Sequence, residues 1–293
     1  MDTQLRIGID IGGTQLRVAL VTAQGEVVRR EAVAHDHGLG PVENLDRLLE
    51  IVDGWGVPYA GIGVGAPGPL DFAAGRVLNP PNLPGWEGFG LADHLAQRTG
   101  KPVAVNNDAN VAGLAEAIAG AGAGFESVFY FTVSTGVGGA YVYRREIVGG
   151  AHSCAAEVFN MPVADDAFHR PHMNPGALED HASGTAIARM GCEQLGRTVD
   201  AAEVFRLAQA GDEAASGVIE TAAENLARAV ANVSFVVDPD VFVLGGSVAL
   251  KNPGFVELVR TKACRYVLNP DSLALRLAAC GDDAGLIGAA LLV

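Results

Sequence analysis

Cysteine is scarce. The chain has four, Cys154, Cys192, Cys264 and Cys280, and no two of them form a C-x-x-C pair. Such scattering points to neither a disulfide framework nor a cysteine-rich zinc site. Basic charge is also in short supply: 20 lysines and arginines face 34 acidic residues, for a net charge of −14. A broad nucleic-acid-binding face is not expected from that balance. An acidic protein can still bind a nucleotide if backbone amides and Mg²⁺ meet the phosphates. No apolar run approaches the ~20 residues of a membrane-spanning helix. The opening, "MDTQLRIGID", lacks a basic start followed by an apolar core, so no signal peptide is evident. A cytoplasmic location is expected.

Glycine and apolar residues are plentiful. Hydrophobic residues make up 49% of 293 and charged residues 18%, which suits one large or two smaller domains with real cores. The 38 glycines exceed what a helical bundle needs. They are expected at turns where backbone approaches something closely.

"LRIGIDIGGTQLRVALVTAQGEVV" reads as an apolar strand, a glycine pair and a second alternating strand, a hairpin rather than a strand–turn–helix. A related pattern recurs at "VFYFTVSTGVGGAYVYRREIVGG", which suggests a duplicated architecture. Amphipathic helices are predicted at "ENLDRLLEIVDGW" and "LADHLAQRTG". Strands are predicted at "YAGIGVGAPGPL" and "PVAVNND", with a helix starting at "DANVAGLAEAIAG". Further helices are predicted near 183–196 and 214–237, then a strand at "VFVLGGSVAL" and a short helix in "DDAGLIGAALLV". The alternation of strands and helices argues α/β layers. The "AGAGAG" stretch suggests a domain boundary near residues 115–120.

Four short motifs can carry chemistry. In "DIGGT", residues 10 to 14, Gly12 and Gly13 let backbone N–H groups turn toward an anion, and Thr14 adds a hydroxyl. Asp10 at the strand end can hold Mg²⁺ through water. A helix does not follow the glycines, so a dinucleotide-binding turn is excluded, and no G-K-[ST] is present for a P-loop. "STGVGG", residues 134 to 139, is a second candidate phosphate turn. "LGGS", residues 244 to 247, can lie against an adenosine or simply join a strand to a helix. "NNDAN", residues 106 to 110, offers Asp108 as a base, with an ordinary helix N-cap as the alternative.

Taken in order, "DIGGT", "GAPGPLD", "PNLPGW", "NNDAN", "STGVGG", "DPDVFVLGG" and "GDDAGLIGAALL" resemble the ROK family of sugar kinases and repressors, within the actin-like, hexokinase-like ATPase superfamily. The resemblance runs essentially end to end. It implies an α/β fold of two ribonuclease-H-like domains with a cleft between them. The domains expected are 1–117, joined by the C-terminal helix of about 282–293, and 118–281. It implies Asp108 as catalytic base. It places Gly12, Gly13, Thr14, Thr135, Gly136, Gly138, Gly245 and Gly246 at ATP-contacting turns. Gly68, Asn82, Asn107, Asp108, Glu157, Asn160 and Glu179 fall at sugar-pocket positions. Ser134 replaces a usual glycine and is expected only to tighten its turn.

One stretch departs from the family. ROK proteins commonly carry E-x-x-H and then C-x-C-x4-C-x-E, with the His and three Cys binding structural zinc. Here "AAEVFNMPVADDAFHRPHMNPGALED", residues 155 to 180, keeps Glu157 and Glu179 in register. The ligand positions read Asn160, Arg170, His172 and Ala177. That set supplies at most one of four ligands for a closed tetrahedral site, so no zinc is expected. Packing of Phe159, Met161, Phe168 and Met173 is expected to stabilise the loop instead. Asn160 can donate and accept in place of the His, but it cannot titrate near neutrality.

The resemblance therefore implies an ATP- and Mg²⁺-dependent kinase acting on the primary hydroxyl of a hexose, with glucose favoured and a homodimer expected. N-acetylmannosamine, N-acetylglucosamine and fructose are alternative substrates, and polyphosphate is an alternative donor. A catalytically inactive sugar-binding sensor is the competing class. A repressor is disfavoured because the first sheet is expected by about residue 5, ahead of which no helix-turn-helix fits.

Overall fold

Alternate residues of the first strand decide which face of the first sheet is buried against what. In β1 (Leu5–Ile11), Ile7, Ile9 and Ile11 are all buried on one face, as the period of two demands. The computed structural model describes residues 4–80, 82–165 and 168–293. These form two α/β units: residues up to 124 with 145–147 and 282–293, and residues 125–144 with 148–281.

In the first unit, β1 is followed by β2 (Gln15–Thr22), β3 (Val27–Ala34), α1 (Pro41–Trp55), β4 (Ile62–Ala66), the short β5 (Leu70–Asp71) and β6 (Arg76–Val77), α2 (Leu91–Thr99), β7 (Val103–Asn107) and α3 (Asp108–Ala119). The sheet order is β3–β2–β1–β4–β7. The first three strands are antiparallel neighbours, while β4 and β7 extend the sheet in parallel. Helix α1 starts at Pro41, whose missing N–H is no loss in a first turn, and ends at Gly56 in the left-handed region. Leu45, Leu48, Leu49 and Val52 of α1 pack with Ile7, Ile9, Val18 and Val64 in one apolar cluster.

The second unit repeats the plan. It contains β8 (Ser127–Val133), β9 (Val137–Tyr143), α4 (Leu178–Ala182), α5 (Gly184–Leu195), α6 (Ala201–Gln209), α7 (Glu213–Val236), β11 (Val241–Gly245), α8 (Gly246–Lys251), α9 (Pro253–Ala263) and β12 (Leu275–Leu277), and the two-residue β10 (Glu146–Ile147) of the 145–147 segment adds to the edge of its sheet. The order is β10–β9–β8–β11–β12, with β9 antiparallel to β8, and β11 and β12 parallel to it. Asp212 caps α7 by accepting from the Ala215 N–H at 2.9 Å. Val218, Ala222, Leu226 and Val230 recur every four residues of α7 and are buried with Phe129 and Phe131 of β8.

The chain ends in α10 (Ala284–Ala290), which lies on the other face of the first sheet, with Leu286 and Ala290 against Ala19 and Val21. The close approach requires glycine. A Cβ on Gly8 would lie 2.0 Å from the Leu286 carbonyl oxygen, and one on Gly63 only 1.7 Å from that of Ala289. The predicted strands and helices are therefore present. The C-terminal residues 282–293 belong with the first unit, which on the sequence side continues to Gly124. Among the described residues, no helix is long and apolar enough to cross a membrane.

Candidate active site

In the first unit, the hairpin between β1 and β2 pairs Ile11 with Leu16, which leaves Gly12, Gly13 and Thr14 at the turn. The Gly12 N–H donates to the Gln15 carbonyl at 2.9 Å, and a Cβ on Gly12 would stand 2.9 Å from the same oxygen. A side chain there would displace the bond that forms the turn. Buried His35 braces this turn from outside the motif. Its N–H donates to the Thr14 carbonyl at 3.0 Å, and its Nδ1 lies 2.9 Å from the Gly12 carbonyl. A carbonyl only accepts, so Nδ1 carries the hydrogen. Trp86 meets the ring edge-on with centroids 5.5 Å apart. No motif in the sequence points to His35.

Asp10 faces Arg17 directly across the hairpin. Arg17 Nε donates to Asp10 Oδ2 at 2.9 Å, Nη2 pairs with the same oxygen, and Nη1 donates to the Asp282 carbonyl at 2.7 Å. Arg17 thus links the DIGGT strand to the C-terminal segment, a role the motifs did not reveal. Mg²⁺ usually keeps several waters and takes one or two carboxylates. Asp10 retains Oδ1 for such a contact, with only glycine beside it at Gly285, where a Cβ would come within 3.4 Å of that oxygen. One oxygen fits a water-mediated contact and does not make a protein cage.

The "NNDAN" segment spans the end of β7 and the start of α3. The N-cap of α3 is Asn107, whose side chain accepts from the Ala109 N–H at 2.9 Å. Asn106 Oδ1 accepts from the Asn107 N–H at 2.8 Å and from Asn110 Nδ2 at 2.9 Å. The asparagines therefore satisfy the capping role, and Asp108 is left as an exposed first-turn residue. Its Oδ1 accepts from the Ala109 N–H at 2.8 Å. Its pKa is nevertheless pushed up to about 6. Desolvation is the largest cause; the Ala109 N–H opposes it, and the negative charge of Asp10 adds to it. A residue can keep an open face to water while its carboxyl stands among crowded protein, and the desolvation follows the crowding. Nearby, a Cβ on Gly68 would lie 3.7 Å from Asn107 Nδ2, and one on Gly13 would lie 3.4 Å from the Asn82 carbonyl. Gly68 and Asn82 thus sit beside Asn107 and the glycine turn respectively.

In the second unit, Ser134, Thr135 and Gly136 form the turn between β8 and β9, where Val133 pairs with Val137. Gly138 lies within β9, opposite Thr132. The turn is held from several sides. The Ser134 and Thr135 carbonyls accept from the Gly184 N–H at 2.7 Å and from the Thr185 hydroxyl at 2.8 Å. Ser134 Oγ is 2.9 Å from Ser247 Oγ, so its side chain joins this turn to the 244–247 turn. Gly245 ends β11 and Gly246 begins α8 with φ +83°. A Cβ on Gly246 would be 2.4 Å from the Val133 carbonyl oxygen, so packing alone requires glycine there.

The described residues of 155 to 180 carry a set of polar anchors. Arg170 donates through Nη2 to Glu179 Oε1 at 2.5 Å and through Nε to Asp180 Oδ1 at 2.5 Å. Asn160 Oδ1 accepts from the Asn174 N–H at 2.6 Å, and Asn174 Nδ2 returns a bond to the Asn160 carbonyl at 3.0 Å. The apolar expectation needs correction at Phe168, which is exposed and stacks under the Arg189 guanidinium at 3.7 Å. The Phe168 ring offers its face to a cation instead of to the core. Met173 is buried and Met161 packs on the core, as expected. Glu157 is exposed, while Glu179 is largely buried, its Oε2 accepting from the Val137 N–H at 2.9 Å. Among the described residues, no three His, Cys, Asp or Glu side chains are grouped to hold a metal.

Two α/β units with one strand order, each presenting a glycine hairpin turn, define the ribonuclease-H-like architecture of the actin-like ATPases. The sequence profile of the ROK family matches residues 6–293, and the chain belongs to that family. It is 32% identical to a glucokinase of Halalkalibacterium halodurans, over 100% of this chain and 96% of that one. A ROK hexokinase of Thermus thermophilus superposes with a TM-score of 0.91 at 35% identity, covering 98% of this chain and 97% of the other. A ROK family glucokinase of Streptomyces griseus, in complex with glucose and AMPPNP, gives a TM-score of 0.81 at 28% identity, covering 99% of each chain.

Proposed function

We propose that this chain is an ATP-dependent sugar kinase that transfers the γ-phosphoryl group to the primary hydroxyl of a hexose, with glucose favoured. The observation that carries the proposal is Asp108: a carboxyl at the first turn of α3, left out of the capping by Asn107 and crowded by protein, so that its pKa is pushed up to about 6. A base is most effective when its pKa approaches the working pH. Asp108 accepts the proton of the attacking hydroxyl as the new O–P bond forms and the bond to the ADP oxygen breaks. By side-chain chemistry, Asn107 suits a sugar hydroxyl as donor or acceptor, and Glu157 and Glu179 suit hydroxyls as acceptors only. The amides of Gly13 and Thr14, in the turn that Gly12 closes, and those of Thr135 and Gly136 are suited to phosphate oxygens, where positioning and electrostatics supply most of the rate enhancement. Mg²⁺, when bound, would neutralise phosphate charge, with Asp10 contacting it through water.

The glucokinase and hexokinase relatives support glucose and ATP. ADP release from Mg-ATP, followed with glucose, mannose, fructose, N-acetylmannosamine and N-acetylglucosamine, tests the proposal. Turnover highest with glucose is expected. Turnover with another sugar would correct the substrate and keep the kinase. Sugar binding without turnover, with polyphosphate also inert, would leave only the sensor. A homodimer belongs to this proposal, and sedimentation velocity checks it.

A further inference from the structure

Glu179 has a protein partner on each of its two carboxylate oxygens. Arg170 Nη2 donates to Oε1 at 2.5 Å, and the Val137 N–H donates to Oε2 at 2.9 Å. Gly136 stands so close that a Cβ there would be 2.6 Å from Oε2. The same guanidinium reaches Asp180 through Nε at 2.5 Å, and the Arg170 N–H donates to Asp180 Oδ2 at 3.1 Å. The Asp180 side chain is 2% exposed and that of Glu179 is 18% exposed. Two adjacent carboxylates so far from water need a compensating cation, and Arg170 supplies it with a fork that matches both.

We infer that Arg170 is a positioning residue for nucleotide binding: it fixes Glu179, and Glu179 in turn fixes the backbone of the Thr135–Val137 turn. This rests on the ATP-dependent function proposed above. The chain of contacts runs from the 155–180 loop through Glu179 into the candidate phosphate turn. A lysine keeps the charge but not the fork, since one ammonium cannot match both carboxylates with fixed geometry. Asp180→Asn removes the charge of the other arm and leaves the Glu179 arm in place.

AMPPNP affinity measured by calorimetry on the full chain with Mg²⁺ separates the roles, with circular dichroism confirming that each variant is folded. Arg170→Lys is expected to weaken AMPPNP about tenfold, which is about 1.4 kcal/mol. Asp180→Asn is expected to lower Tm while AMPPNP affinity stays within about twofold, because its arm does not reach the turn. In an Arg170→Lys, Glu179→Gln double variant the two losses should not add, as one contact chain is broken twice. Arg170→Lys with parental affinity, or Asp180→Asn weakening AMPPNP equally, would show that Arg170 only braces the loop. A parent protein that does not bind AMPPNP would overturn the ATP-dependent function itself, and that failure is seen before any variant is made.

Discussion

Asp108 and Glu179 are both carboxylates at first turns of helices, and the molecule treats them in opposite ways. Glu179 is held between a guanidinium and a backbone amide, beside a glycine that leaves room for it. Asp108 accepts from backbone N–H groups, chiefly that of Ala109, but desolvation outweighs them and the nearby negative charge of Asp10 also works against its ionisation. Asn106 bonds to Asn107 and Asn110, and Asn107 caps the helix; Asn107 also reaches the Asp108 carboxyl, a contact that only partly offsets the desolvation. One carboxylate is compensated and serves as a fixed anion. The other is kept poorly compensated, which is the state a proton acceptor needs. The difference lies in the neighbours supplied, not in the residue type.

The largest expected effect comes from removing the under-compensated member. Asp108→Asn should lower kcat by ~10²–10⁴, the usual contribution of a general base, while glucose and AMPPNP still bind in calorimetry. Turnover near the parental rate would take Asp108 out of the role. Next is the compensated member. Glu179→Ala leaves the Val137 N–H without its acceptor and leaves Arg170 paired to Asp180 alone. A stability loss of about 1–3 kcal/mol is expected in urea unfolding, the scale of an unsatisfied buried group. A neutral outcome would mean that water replaces the carboxylate and the contrast with Asp108 is weaker than the geometry implies.

A titration sharpens the same comparison. The Asp108 pKa rises on folding from 3.8 to about 6. The native state therefore holds this proton more tightly than the unfolded state does. The associated stability is fully present below 3.8 and is lost as pH rises to about 6. Asp108→Asn removes that dependence. The variant should match the parent in Tm near pH 4 and exceed it increasingly up to about pH 7, with a plateau above. Activity of the parent should run the other way, rising with pH through about 6 as the base ionises. A Tm difference independent of pH would contradict the raised pKa.

Much of this was legible in the sequence because it depends on local pattern. The apolar run before the "DIGGT" glycines marked a strand, and the strand-to-helix break at "NNDAN" placed Asp108 at a helix start. The glycines of "DIGGT" and "STGVGG" marked hairpin turns. What was not legible depends on side chains meeting across the fold. Arg17 is seven residues from Asp10, and only the hairpin register makes them partners. His35 lies two strands along the chain from the turn it braces. Arg170 was recognised as no zinc ligand, but its two carboxylate partners lie nine and ten residues on, brought back by the loop. Lone arginines and histidines carry no spacing signature, so their partners emerge only from tertiary structure.

The smallest expected effect is at Ser134, which the family pattern marked as a departure. Its hydroxyl meets that of Ser247 at 2.9 Å at an exposed position. The backbone of the turn is held independently: the Ser134 N–H donates to the Gly136 carbonyl at 2.9 Å, and the Ser134 carbonyl accepts from Gly184. Ser134→Ala removes one hydrogen bond whose other partner can turn to water. The cost should be about 0.5 kcal/mol, the scale of a surface change, with AMPPNP affinity within about twofold of the parent. A loss near 2 kcal/mol or a tenfold weaker nucleotide would require more. Ser134 and Ser247 would then form a rigid join between the 134–136 and 244–247 turns, and the second unit would depend on two cross-links, Glu179 and this hydroxyl pair, to shape its phosphate turn.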